Sequence, residues 1–146
     1  MSHEPDESQE PGYAGDVDPQ QAWEMLERDP AAVVVDCRTE AEWSFVGVPD
    51  VTGLERQVTF VPWNHFPAGH NERFVDDLRE AGVREGQPIV FLCRSGQRSI
   101  AAAAAATAAG LGPAYNIAEG FEGAVGPDGH RDVEGWKVRG LPWRQG

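Results

Sequence analysis

Cys93 is followed by Arg94, Ser95, Gly96, Gln97, Arg98 and Ser99, and is preceded by the apolar run Ile89-Val90-Phe91-Leu92. A thiol next to two guanidiniums and several small residues suits covalent chemistry on an anionic substrate. Only the thiolate is a nucleophile, and a thiol with an ordinary pKa of about 8.5 is ionised to a few per cent at neutral pH. Three local features favour the thiolate here. Amides of the turn can donate to sulfur, the N-terminus of the following helix presents the positive end of its dipole, and Arg94 and Arg98 bring cations nearby. Ser95, Gly96 and Ser99 let the turn curl tightly, and Gly96 supplies a backbone conformation that a side chain would forbid. The alternative is a core cysteine that happens to end a strand, since free cysteines are commonly buried and inert. Two arginines so close to it have no reason to line a core.

The elements that must hold this turn follow from the pattern around it. The buried strand 89–92 delivers Cys93, and a helix is predicted from Gln97 to Ala109, ending at Gly110. Its alanine run, 101–106, reads as structure: alanine is the best helix former and lets the helix lie close to a sheet. Ala32-Val33-Val34-Val35 is an uninterrupted apolar run, as a central parallel strand buried on both faces requires. It leads into Asp36-Cys37-Arg38. Thr39 with Glu42 forms a capping-box pattern, which predicts a short helix through Trp43. Tyr13 to Val17 reads as a short edge strand, and Asp18-Pro19 as the N-cap and first position of a helix carrying Ala22, Trp23, Met25 and Leu26. Val58 to Val61 is a further strand candidate, closed by Pro62. A helix from near Asn71 presents Phe74, Val75 and Leu78 and stops at Gly82, and a turn is predicted at Glu85-Gly86-Gln87. Ala114 to Ile117 is the last strand, and the Gly- and Pro-rich end from Gly126, with Trp136 and Trp143, is predicted to pack back on the domain. Strands alternating with helices make an α/β sandwich with a mainly parallel sheet. Its ligand crevice lies beyond the carboxyl ends of the strands, where Cys93 falls.

The 146 residues are read as an acidic, disordered tail over 1–12 and one domain over 13–146, large enough to bury a core without staples. The formal net charge is −12, and Glu4, Asp6, Glu7, Glu10, Asp16 and Asp18 supply half of it, so the acidity belongs in part to the tail. That balance argues against a nucleic-acid partner. No apolar run is long enough to span a bilayer, which argues against a membrane role, and the acidic N-terminus does not resemble a secretory signal. Two cysteines make no disulfide framework, and a reducing cytoplasm is the default compartment. His65, His70 and His130 have no metal-ligand spacing, His3 lies in the tail, and no metal site is predicted. Trp63 and Trp136 read as aromatic packing rather than a pocket rim.

The stretch Cys93-Arg94-Ser95-Gly96-Gln97-Arg98-Ser99, between an apolar strand and a helix, resembles the active-site loop of the rhodanese-like sulfurtransferases. Asp36-Cys37-Arg38-Thr39-Glu40-Ala41-Glu42-Trp43 is similar to the family's Asp-x-Arg segment and the acidic and aromatic pair after it. Asn116-Ile117-Ala118-Glu119-Gly120-Phe121 resembles its late strand and Gly-containing turn, and Gly135-Trp136 with Gly140-Leu141-Pro142 resembles its usual ending. The resemblance implies a three-layer α/β/α sandwich with roughly five strands. It also implies a two-step transfer in which Cys93 takes the outer sulfur of a small anionic donor such as thiosulfate, becomes a persulfide, and passes the sulfur to cyanide or a thiol. The turn amides would stabilise the terminal sulfur, Arg94 and Arg98 would attract the donor's sulfonate, and no metal or organic cofactor is implied. Asp36 and Arg38 are read as an ion pair that steadies the strand ends and the loop. One departure is Gly47-Val48-Pro49-Asp50, which stands where the family often carries Gly-His-Ile-Pro-Gly-Ala.

Cys37 is the other departure. The implied topology sets the strand ending at Asp36 beside the one ending at Leu92, which makes Cys37 either a resolving thiol for Cys93 or a small residue packed under the sheet edge, its side chain opposite in direction to those of Asp36 and Arg38; the second reading is preferred. Two rival functions remain. A cysteine phosphatase needs Cys-x5-Arg, whereas Arg98 follows Cys93 after four residues and Ser99 occupies the phosphatase arginine's place. A sulfur-carrier or regulatory module, passing sulfur to a protein acceptor, would use the same loop.

Overall fold

The computed structural model describes residues 12–65, 69–94, 96, 98–123 and 135–144. Its elements, in chain order, are β1 (Gly15–Val17), α1 (Pro19–Arg28), β2 (Val33–Asp36), α2 (Glu40–Phe45), β3 (Val48–Pro49), a 3-10 turn at Thr52–Leu54 and β4 (Thr59–Phe60). There follow β5 (Asn64–His65), β6 (Gly69–His70), α3 (Phe74–Glu80), β7 (Glu85–Leu92), α4 (Arg98–Ala108), β8 (Gly112–Ile117) and β9 (Trp143–Arg144). Of the expected tail, residues 1–11 lie outside the described residues, as do 124–134 of the C-terminal segment.

The two uninterrupted apolar strands occupy the positions their pattern demands. The main sheet has the order β1-β8-β7-β2-β4, and every ladder in it is parallel. β7 and β2 are therefore interior strands covered on both faces, and Val34, Val35 and Ile89 through Leu92 are buried. An alternating amphipathic strand would bury half its side chains there as polar groups without water; a continuous apolar run avoids that cost. The register pairs Val33 with Ile89 and Asp36 with Leu92, so the two strands end level.

Helices cover both faces. Phe74 and Leu78 of α3 and Ala102, Ala103 and Ala106 of α4 pack with Val35, Cys37, Ile89, Phe91 and Cys93 on one side. On the other, Ala22 and Leu26 of α1 pack with Val34, Val90, Leu92, Ile117, Phe121 and Trp136. Each large side chain buried in this way contributes about 1.5–3 kcal/mol. Trp136 is inaccessible to solvent, lies edge-on to Trp23 at 6.0 Å, and donates its indole N–H to the Pro142 carbonyl at 2.7 Å. Trp136 thus anchors the Gly135–Arg144 segment in the core, and β9 closes antiparallel on β3.

Both capping boxes form: Asp18 with Gln21 opens α1, with Pro19 at its first position, and Thr39 with Glu42 opens α2. Several boundaries differ from expectation. The turn predicted at Glu85-Gly86-Gln87 is absorbed into β7, whose pairing with β8 shifts register between Glu85 and Ile89 while Gly86 takes a positive φ of 86°. Only Thr59 and Phe60 of the 58–61 run form the edge strand β4. Helix α3 starts at Phe74 because Asn71 is occupied with a turn, its side chain accepting from the Arg73 amide and its carbonyl from the Phe74 amide. No helix among the described residues is long and apolar enough to cross a membrane.

Candidate functional site

Cys93 stands one residue beyond β7, at the carboxyl end of an interior strand, and its residue is 1% exposed. The chain then doubles back so that the Gly96 amide donates to Sγ at 3.2 Å and the Ser99 amide at 3.4 Å. The Ser99 hydroxyl oxygen is a third neighbour, 3.2 Å from Sγ. Ser99 lies in the first turn of α4, where amides lack intrahelical acceptors, so the sulfur takes the acceptor's place. The loop is tied down from the opposite side: Phe121 N–H donates to the Cys93 carbonyl at 2.8 Å, and the Glu122 and Gly123 amides donate to the Arg94 carbonyl at 2.9 and 3.1 Å. Ser95 and Gln97 lie outside the described residues.

The two cations of the loop each meet a carboxylate. Arg94 is half exposed, with Nε 3.2 Å from Glu122 Oε2. Arg98 makes a two-pronged pair with Glu42, Nη1 to Oε1 at 2.8 Å and Nη2 to Oε2 at 2.9 Å, which ties α4 to α2. At the end of β2, Arg38 and Asp36 form a wholly buried pair, Nη2 to Oδ2 at 2.7 Å and Nε to Oδ1 at 3.0 Å. Arg38 also donates to the Gly47 carbonyl at 2.8 Å and lies over the Phe121 ring at 4.3 Å. Among the described residues no group of three or more His, Cys, Asp or Glu side chains is arranged to hold a metal ion.

The family model for the rhodanese-like domain matches residues 18–126. The chain belongs to that family. Relatives from Rickettsia conorii and Rickettsia prowazekii, described there as uncharacterized proteins, are 37% and 36% identical over 124 residues, each covering 84% of this chain and 91% of the relative. Among solved structures, that of Rv0390 from M. tuberculosis is similar at 55% identity and TM-score 0.85, over 92% of this chain and 99% of that one. The polysulfide-sulfur transferase homodimer of Wolinella succinogenes shares the fold at 21% identity and TM-score 0.61, over 91% and 79% of the two chains.

In this rhodanese-like domain Cys37 is a cross-strand neighbour of Cys93 on the same face of the sheet, and both thiols are free. Its amide donates to the Leu92 carbonyl at 2.9 Å and its Sγ to the same oxygen at 3.3 Å. Burial pushes the Cys37 thiol well above the ordinary range, and the nearby Cys93 and Asp36 push the same way; Arg98 opposes them only in part. Cys37 is thereby a core residue, held as a neutral thiol. Trp63 is half-buried against α3, edge-on to Phe74 at 4.9 Å and to His70 at 4.5 Å. His65 and His70 are exposed on a separate small ribbon, and His3 and His130 lie outside the described residues.

Glu42 does two jobs that the sequence showed only one of. Burial opposes its ionisation, but the Arg98 guanidinium and the Thr39 amide and hydroxyl outweigh that and hold its carboxyl down to about 2. Its folded pKa lies below the unfolded value of about 4.5, so the stabilisation is complete above that value and is lost as pH falls through about 2. Glu42→Gln is expected to cost about 1–3 kcal/mol at neutral pH and to flatten the acid decline across that window. Urea midpoints from pH 5 to pH 2 check this; parallel declines in the two proteins would rule it out.

The buried Asp36–Arg38 pair carries a larger cost. Arg38→Ala leaves the Asp36 carboxylate without its cation in a site with no access to water, an expected loss of about 3–5 kcal/mol. Adding Asp36→Asn should return part of it, because the remaining group is then neutral. Urea unfolding of the single and double variants measures this, and equal stability of the two would contradict it.

Asp16, Asn116 and Glu122 were not singled out from the sequence, though each contacts the loop or a residue that does. The available signal was a lone amide, Asn116, inside an otherwise apolar interior strand.

Proposed function

We propose that this domain is a sulfurtransferase that carries a sulfane sulfur as a persulfide on Cys93. Membership of the rhodanese-like family supports sulfur transfer at the level of the family. The observation that carries the reading for this chain is the pair of backbone amides, from Gly96 and Ser99, converging on Cys93 Sγ at a strand end. Donors placed in this way stabilise a negative sulfur without having to reorganise.

In the proposed cycle the Cys93 thiolate attacks the outer sulfur of thiosulfate. The S–S bond breaks, its electron pair leaves with sulfite, and a persulfide remains on Cys93. Cyanide or a thiol then attacks the outer persulfide sulfur and restores the thiolate; a protein thiol is an equally suitable acceptor. Arg94, half exposed, is the cation available to the sulfonate of the donor, while Arg98, closed on Glu42, holds the loop to α2. That closure also weighs against phosphoryl transfer, which needs an arginine turned toward the nucleophile. Two free thiols fit a reducing compartment such as the cytoplasm.

The test is to incubate the protein with thiosulfate, remove the excess and weigh it intact. One added sulfur atom, removed by cyanide with release of thiocyanate, is expected. A wild-type protein that gains no mass from thiosulfate or from a polysulfide would overturn the reading.

A further inference from the structure

The Cys93 sulfur is the end of a hydrogen-bonded row that crosses two strands and reaches the edge of the sheet. Ser99 Oγ, 3.2 Å from Sγ, also meets Asn116 Oδ1 on β8. Asn116 Nδ2 donates to Asp16 Oδ1 on β1 at 3.0 Å, and the Tyr13 hydroxyl donates to the same oxygen at 2.8 Å. Ser99 and Asn116 are buried, while Asp16 is exposed.

The chemistry of these groups fixes the direction of every bond in the row. A carboxylate only accepts, so Asp16 must face the NH2 end of the Asn116 amide. The amide oxygen is then turned to Ser99, and it too only accepts. Ser99 has a single hydroxyl hydrogen, which goes to Asn116. Its oxygen is left as an acceptor toward Cys93, and the sulfur can occupy it only as S–H.

We propose that Asn116 is a positioning residue, oriented by Asp16, that holds the Ser99 hydroxyl hydrogen off the Cys93 sulfur and so keeps Cys93 at rest as a thiol. The nucleophile is released when Ser99 turns: the S–H proton leaves to water, and the hydroxyl hydrogen moves from Asn116 Oδ1 to the negative sulfur. Side chains on β8 and β1 thus set how readily the thiol ionises. The inference concerns ionisation alone and is read without a sulfur donor, so its failure and that of the sulfurtransferase reading are distinguishable.

The readout is the thiolate ultraviolet absorbance of Cys93, taken as the difference between each protein and its Cys93→Ser counterpart across pH. Asp16→Asn can present either an amide NH2 or an oxygen to Asn116, which frees the Asn116 amide to turn and the Ser99 hydrogen to reach sulfur. The midpoint is expected to move to lower pH, by about one unit for a hydrogen bond gained by a charged sulfur. Asn116→Leu leaves the sulfur as the acceptor open to that hydroxyl and should move it the same way. If the buried Asn116→Leu fails to fold, the exposed Asp16→Asn still decides. Both shifts must vanish in a Ser99→Ala background, since the effect travels through that hydroxyl. Tyr13→Phe leaves the Asp16 carboxylate an acceptor and should leave the midpoint in place. The other charged or titratable groups around the sulfur stay untouched in every variant: Cys37 and the Asp36–Arg38 pair from the end of β2 and the residues after it, Arg98 with Glu42 from α4 and α2, and Arg94 with Glu122. An Asp16→Asn midpoint that is unchanged or higher, a shift that survives Ser99→Ala, or an equal shift in Tyr13→Phe would each overturn the proposal.

Discussion

Cys93→Ser is expected to take up no sulfur from thiosulfate and to lose transfer to cyanide by more than about a thousandfold, the scale seen when a covalent nucleophile is removed while its surrounding donors remain. The substitution keeps the shape of the loop. The Gly96 and Ser99 amides at 3.2 and 3.4 Å still have an oxygen to bond, and only the nucleophile changes. Cys37 survives in the variant, which makes the measurement decisive. It is inaccessible to solvent, donates to the Leu92 carbonyl, and is held neutral by burial, so it offers no thiolate to a donor. An intact-mass gain of one sulfur on Cys93→Ser would move the carrier to Cys37 and undo the assignment of Cys93.

Gly96→Ala is expected to disable the loop almost as thoroughly. Gly96 has a φ of +93°, and a Cβ built on it would lie 2.0 Å from the Ala118 carbonyl oxygen and 2.7 Å from its carbon. Those are backbone atoms at the end of β8, and they cannot swing aside, because the Ala118 amide donates to the Val17 carbonyl on β1 at 2.9 Å. The loop has to move instead, and its movement takes the Gly96 amide away from the sulfur. Loss of one such donor costs a factor of about 100–1000 in rate, and the strained backbone and clash cost about 2–4 kcal/mol of stability. Gly86→Ala is the matched control: its φ is +86°, yet nothing stands within 4 Å of the added carbon. It should lose about 1–2 kcal/mol from the backbone alone and keep its rate of sulfur loading. Loading kinetics and urea midpoints of the two variants separate the close approach from the dihedral. Equal loading rates would remove the close approach from the account.

Much of the architecture was legible because its signals are local. An apolar run without polar interruption, as in 32–35 and 89–92, has one comfortable home in a parallel sheet, and both runs are interior strands. The capping patterns at Asp18 and Thr39 involve residues three apart, so their partners can be read directly from the chain. At Glu85-Gly86-Gln87 a long-range ladder overrules a local turn signal. Gly86 carries the local signal of a turn, but pairing with β8 takes β7 through it as an irregularity.

The site divides along the same line. From the sequence alone came Cys93 as the proposed nucleophile, the small-residue turn, the closeness of two arginines and the placing of Cys93 at a strand end, because all of these are properties of one short segment and its periodicity. Only the tertiary structure decided what surrounds them. Arg98 closes on Glu42, which is 56 positions away; Arg94 meets Glu122; Cys37 lies beside Cys93 yet turns its thiol to a carbonyl. The row from Ser99 through Asn116 to Asp16 spans 100 positions between its last two members. The physical reason is that spacing specifies which residues share a turn or a face. The partner of a charge or a hydroxyl is set by which strands lie side by side, and that depends on the burial of the whole sheet.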